Sequence, residues 1–132
     1  MNNEKKPLNI LNILLWITQI ILSLSLFAGS FIKFFLSSEE LAEMFPWTAN
    51  NRGLLISTAI ADFLIGIGLI LPGIDHLKFK LTVISAYGLV FLMIGASIFH
   101  ISRGESSDIG INIFFLLLAI FVIWGRQKQS KN

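Results

Sequence analysis

The chain has 132 residues, of which 55% are hydrophobic and 14% charged, with a net charge of +2 and no cysteine. An average soluble chain carries roughly 25% charged residues, and a small soluble domain keeps much of its surface wet, so these few charges could not cover it. A soluble enzyme, structural disulfides, thiolate metal or iron–sulfur sites and thiol redox chemistry carried by this chain are excluded, and the charge is too mild to argue for nucleic acid as a partner.

The charges divide the chain into apolar stretches. Pro7 to Ile32 holds no charged residue, Gly53 to Ile74 only Asp62, Leu81 to Ile101 only His100 at its far end, and Ile109 to Gly125 none. A helix crosses the ~30 Å hydrocarbon core in about 20 residues, and inside that core every backbone N–H and C=O must be paired internally. The runs are continuously apolar, so the alternation of a membrane barrel is missing. The pattern predicts an all-α fold, a four-transmembrane-helix bundle forming one domain over the whole chain. Its helices fall at roughly 10–36, 54–72, 81–100 and 109–125. The first run follows Lys5 and Lys6 and contains Ala28-Gly29-Ser30, the outline of a cleavable signal peptide. It is longer than an h-region of about 7–15 residues, and so reads as a retained span.

Between the first two spans, Ser37 stands three residues before Glu40, the spacing of a capping box. Leu41, Met44 and Phe45 then recur at helical spacing until Pro46 stops the run before Trp47. This predicts a short interfacial helix at roughly 38–45, serving as a structured connector or as a gate or docking element. Pro72 and Gly73 close the second span, and Gly104 with Ser106-Ser107 marks the last loop.

With four spans, the N-terminal tail, the second loop and the C-terminal tail share one side. That side holds Lys5, Lys6, Lys78, Lys80, Arg126, Lys128 and Lys131, against Lys33, Arg52 and Arg103 on the other. The positive-inside rule then places both termini in the cytoplasm of a multi-pass protein of the inner membrane. Trp16 and Trp124 fall near the inner interface and Trp47 near the outer one, as an aromatic belt requires.

Asp62 is the most informative single residue. It lies eight residues into the second helix, roughly 12 Å from its outer end at 1.5 Å per residue. An ionised carboxylate at that depth is costly unless paired or watered, so it should face the bundle interior. Ala59 and Gly66 share its face and let another helix approach. Two readings stand side by side: a proton, cation or polar-ligand site, and a buried structural ion pair. Lys33, on a face with Ser25 and Gly29, is the natural partner, its depth differing by about 7 Å, which a lysine stem nearly spans. It could equally be a snorkelling anchor. His100 ends the third helix in the same outer half, as a third member of a polar pocket or as an ordinary hydrogen-bonding helix end. His76 sits on the opposite side, so the two histidines cannot share a haem or a metal. Gly29, Gly66, Gly68 and Gly95 read as close helix contacts, and Gln19, Ser23, Ser57, Thr58, Ser85 and Asn112 as groups that bond backbone or neighbouring helices. There is no Walker motif, no G-x-S-x-G and no paired-His spacing, so neither catalytic nor metal-ligating residues are assigned.

Leu26-Phe27-Ala28-Gly29-Ser30-Phe31-Ile32-Lys33 resembles the end of the first helix in the DoxX and DoxX-like membrane family. Glu40-Leu41 through Phe45-Pro46-Trp47 is similar to that family's first loop. Asp62 with Gly66 to Leu71-Pro72 resembles its second helix, Phe99-His100 the close of the third and Trp124-Gly125-Arg126 the close of the fourth. The resemblance covers about residues 10 to 126 in consistent order, with Asp62 where many relatives carry Glu. It implies a four-helix membrane bundle. Relatives include subunits of a thiosulfate:quinone oxidoreductase and of membrane-associated redox complexes, while distant eukaryotic relatives are assembly chaperones.

Three functional readings follow. The first is a non-catalytic or quinone-contacting subunit of a membrane redox or stress-related complex in a bacterial inner membrane, not an enzyme on its own. There Asp62 would accept a proton or a hydrogen bond from a quinone head, Lys33 would balance its charge and His100 would relay protons. The second is an assembly or scaffold protein that binds other membrane helices. The third is a proton or small-solute conduit built as a homo-oligomer. The lipid bilayer is the partner common to all three.

Overall fold

A computed structural model describes residues 10–49, 51–71, 79–105 and 109–130. Lys5, Lys6, Pro72, Gly73, His76, Lys78, Ser106, Ser107, Asp108 and Lys131 lie outside the described residues. The described chain is helical throughout, with no strand: α1 (Ile10–Phe35), α2 (Ser38–Met44), a 3-10 turn (Pro46–Thr48), α3 (Arg52–Ile70), α4 (Lys80–Ser102) and α5 (Gly110–Ser130).

The four long helices are each apolar and long enough to cross a membrane. Each packs on the next long helix in the chain, and α5 closes on α1, giving an up-and-down bundle. Leu22 and Leu26 of α1, Leu69 of α3, Ala86, Leu89 and Met93 of α4, and Ala119, Val122 and Ile123 of α5 form its core. Large apolar residues also cover the outside, among them Ile10 at 72% exposure and Phe91 at 70%. A water-facing surface of that kind is rare in a soluble monomer, whereas hydrocarbon accepts it. The molecule is a small integral membrane protein.

Polar side chains hold α1 against α3 in a row of rungs. Gln19 Nε2 donates to Leu69 O at 2.6 Å, Ser23 Oγ to Gly66 O at 2.9 Å and Ser30 Oγ to Ala59 O at 2.9 Å. The numbers rise along α1 as they fall along α3, so the two helices run antiparallel. Leu69 belongs to the last turn of α3, where a carbonyl lacks its partner within the helix, so Gln19 acts as a side-chain cap. Thr82 Oγ1 of α4 reaches the same carbonyl at 3.5 Å. In hydrocarbon, bonds of this kind replace the water that would otherwise satisfy each hydroxyl and amide.

The connector forms as its sequence dictates. Ser37 Oγ accepts from Glu40 N at 3.1 Å, and Glu40 Oε1 accepts from Ser37 N at 3.0 Å, a reciprocal capping box that starts α2. Pro46 opens the 3-10 turn, which delivers Trp47 and the buried Thr48 to the head of α3. At the other end of the bundle, α5 runs to Ser130, past the boundary near 125 that its apolar run suggests. The extension has a cause: Arg126 is taken inside the bundle and bonded there, so the helix continues beyond Gly125.

Candidate functional site

Among the described residues, the bundle end formed by the last turn of α1, the connector and the end of α4 gathers most of the ionisable groups. Lys33 lies in the last turn of α1, where a cation also meets the negative end of the helix dipole. Its Nζ donates to Asp62 Oδ2 at 2.9 Å and to Thr58 Oγ1 at 3.1 Å. Thr58, one turn before Asp62 on α3, donates its own hydroxyl hydrogen bond to Leu55 O at 3.0 Å. Gly29 faces this pair, where a Cβ would stand 3.7 Å from Asp62 Oδ2, an ordinary van der Waals contact. Both side chains are largely withdrawn from solvent, at 15% and 9% exposure.

Asp62 uses only one of its two oxygens. Oδ2 takes the lysine, while Oδ1 accepts no hydrogen bond among the described residues. Trp47 stands beside this group, with Lys33 Nζ 5.8 Å from its ring centroid. A partly shielded carboxylate oxygen, an ammonium, a hydroxyl and an indole face thus meet at one point.

His100 is bound elsewhere. Its Nδ1 lies 2.8 Å from Glu105 Oε1, and Arg103 Nε is 3.1 Å from Glu105 Oε2, so the end of α4 folds into a three-residue clasp. The His100 hydrogen bond, with Arg103 beside it, holds the Glu105 carboxyl below its ordinary range. No hydrogen bond joins His100 to Lys33 or Asp62 among the described residues. The two groups connect through aromatic rings instead: Trp47 meets Phe99 edge-on at 5.9 Å, and Phe99 lies under Arg103 at 5.6 Å. The structure therefore brings Lys33 and Asp62 together and sets His100 in a neighbouring cluster.

Three of the four glycines expected at close helix contacts meet neighbours within the chain. Beyond Gly29, a Cβ on Gly66 would stand 2.7 Å from Phe27 Cε1, and one on Gly68 would collide with Ser85. Gly95 meets nothing within 4 Å, so a helix contact there would have to come from another molecule.

Sequence reasoning missed the far end of the bundle. Arg126 counts there only toward the charge balance and the close of the fourth helix, yet it is 1% exposed. Its Nε donates to Gln19 Oε1 at 2.6 Å, and its Nη1 to Asn12 Oδ1 at 2.7 Å and Gln129 Oε1 at 2.8 Å. A signal existed: Asn12, Trp16 and Gln19 fall on one helix face, a polar and aromatic stripe inside an apolar run.

A model of the DoxX-like family matches residues 17–122. The chain belongs to the DoxX-like family. The matched stretch contains Lys33, Trp47, Asp62 and His100 and ends before Arg126. No curated protein and no solved structure matches the chain. Membership of the DoxX-like family agrees with the four apolar helices and with the family resemblance read in sequence; it assigns no reaction to any residue.

Proposed function

We propose that this DoxX-like protein is a subunit of a membrane redox or stress-related complex in a bacterial inner membrane, with both termini cytoplasmic, and that Lys33 and Asp62 meet the head group of a quinone. The observation that carries this reading is the half-used carboxylate: Asp62 Oδ2 holds Lys33 at 2.9 Å while Oδ1 accepts nothing among the described residues. Oδ1 is not among the buried side-chain atoms that lack a partner, so it keeps accessible surface that a ligand's hydroxyl could meet. The donor set also fits the group. Lys33 spends two of its three N–H groups on Asp62 and Thr58 and can donate the third to a carbonyl oxygen, Asp62 can give or take the proton of a hydroxyl, and the Trp47 indole offers a face to a planar ring. A bound quinone would supply two-electron, two-proton exchange with a redox centre on a partner protein. This chain's share is to hold the head group, balance charge and move the proton at Asp62 Oδ1.

Gly95 supports a second reading, an assembly or scaffold role. It is open, and exposed Phe91 and Ile98 flank it on the outer surface of α4, as a helix-docking face requires.

Purification in a mild detergent, followed by mass spectrometry of the co-purifying small molecules and proteins, separates the two. A quinone retained by the wild type and lost from Asp62→Ala supports the redox subunit. A stoichiometric membrane partner without quinone supports the scaffold.

A further inference from the structure

The end of the bundle opposite Lys33 and Asp62 carries a buried cation that pairs with no carboxylate among the described residues. A guanidinium has five N–H groups. In Arg126, Nε and Nη1 use theirs on Gln19, Asn12 and Gln129, all neutral amide oxygens. Nη2 is buried and has no hydrogen-bond partner. Every carboxylate among the described residues lies elsewhere: Glu39, Glu40, Glu43 and Glu105 at the other end of the bundle, and Asp62 on Lys33. Among the described residues, the other cations at the Arg126 end are Lys80, at the start of α4, and Lys128, near the end of α5 with its Nζ 5.7 Å from the Trp124 ring.

The cover over this charge is aromatic. Phe79 lies 3.8 Å from the guanidinium carbon, ring centroid to Cζ, and Trp16 lies 5.3 Å away, edge-on to Phe79. Phe79 also has φ of 64°, the one positive φ among the described non-glycine residues. Phe79 precedes the first residue of α4, so its ring can swing by side-chain rotation without disturbing that helix.

We infer that Arg126 is the floor of an oxyanion site for a phosphate group, reached when the Phe79 ring moves aside. The N–H groups left on Nη2 carry the delocalised charge and are held in place by the bonds at Nε and Nη1, so each can donate a charge-assisted hydrogen bond to an oxyanion. Amide oxygens fix the orientation of the guanidinium without cancelling its charge, and Lys80 and Lys128 add long-range attraction at the level where lipid phosphates lie. The ligand is a phosphate monoanion, carried on an anionic phospholipid or free in solution. This site shares no residue with the Lys33–Asp62 pair, so its failure would leave the quinone proposal untouched.

The test uses the full chain, delipidated in a neutral maltoside detergent and titrated with phosphatidylglycerol, phosphatidylcholine or inorganic phosphate. Binding is followed by native mass spectrometry and by fluorescence of the tryptophans, of which Trp16 adjoins the site. The expected result is one phosphatidylglycerol per chain, bound at least tenfold more tightly than phosphatidylcholine, and weakened at least tenfold in Arg126→Gln. Inorganic phosphate that displaces phosphatidylglycerol at equal affinity would identify the free ion as the source of the same chemistry. Should Arg126→Gln fail to fold, Arg126→Lys keeps the charge but loses the Nη2 donors, and several-fold weaker binding is expected. Equal binding of the two lipids, unchanged binding in either variant, or binding of none of the three probes would overturn the site.

Discussion

Lys33 Nζ stands 2.9 Å from Asp62 Oδ2 and joins the last turn of α1 to the middle of α3 inside the bundle. Neither charge has water enough to stand alone. Breaking a buried pair by removing one partner costs about 3–5 kcal/mol, because the other charge is left behind. Lys33→Met and Asp62→Leu are each expected to lower the thermal midpoint sharply in detergent. The double variant should recover most of that loss, since two apolar side chains leave no charge to desolvate. Single variants that melt with the wild type would show that water reaches the pair freely.

Gln19 makes two bonds with its one amide, donating to Leu69 O and accepting from Arg126 Nε, and so ties α1 to α3 and α5. Gln19→Leu keeps the volume and removes both. Hydrogen bonds to charged groups contribute roughly 1.5–3 kcal/mol, and an unsatisfied partner adds its own desolvation penalty. A loss of about 2–4 kcal/mol is expected by denaturant titration, larger than for Ser23→Ala, which removes one neutral bond. Equal losses would mean that Arg126 rebonds without Gln19.

The glycines should separate into two classes on substitution by alanine. Gly66→Ala pushes a methyl into the Phe27 ring and Gly68→Ala into Ser85, and overpacking of this kind costs roughly 1–3 kcal/mol. Gly95→Ala meets nothing within the chain and should leave the thermal midpoint of the isolated protein unchanged or slightly raised. Gly95→Leu extends the test to the cell: unaltered monomer stability with loss of a co-purifying protein would place a partner on α4.

The clasp at the end of α4 should respond to acid. Folding lowers the Glu105 carboxyl below its ordinary value of 4.5, mainly through the His100 hydrogen bond. A depressed carboxylate adds stability that is complete above its unfolded value and is lost as pH falls through its folded value. The amides of 103–105, whose bonds to Phe99, His100 and Ile101 close this turn, should therefore keep their hydrogen-exchange protection at neutral pH and lose it in acid below 4.5. Glu105→Gln should abolish that acid dependence, and an unchanged pH profile in this variant would assign the transition to another group.

The fold was legible because hydrocarbon leaves a chain few choices. Uninterrupted apolar runs had to become helices, and Ser37 with Glu40 had to start one. Lys33 and Asp62 could be paired on paper because both are ionisable, internal and at similar depth. His100 could not be placed the same way: its partner Glu105 sits past the helix end, and only the turn at Gly104, with φ of 77°, brings it back. Arg126 was hidden for a related reason. A cation at a helix end reads as an interfacial anchor, and its burial depends on Asn12 and Gln19, which lie more than a hundred positions earlier in the chain. Periodicity along one helix does not report which residue of a distant helix lies opposite.

The most direct test of the central claim uses the Lys33→Met/Asp62→Leu double variant, because it removes the charges without leaving an unpaired one. Quinone content per mole of protein would be measured after mild purification, beside thermal stability in the same detergent. The account predicts a double variant that stays folded, melts near the wild type and carries no quinone, while the wild type does. A folded double variant retaining the wild type's quinone would contradict it and leave Lys33 and Asp62 a structural pair.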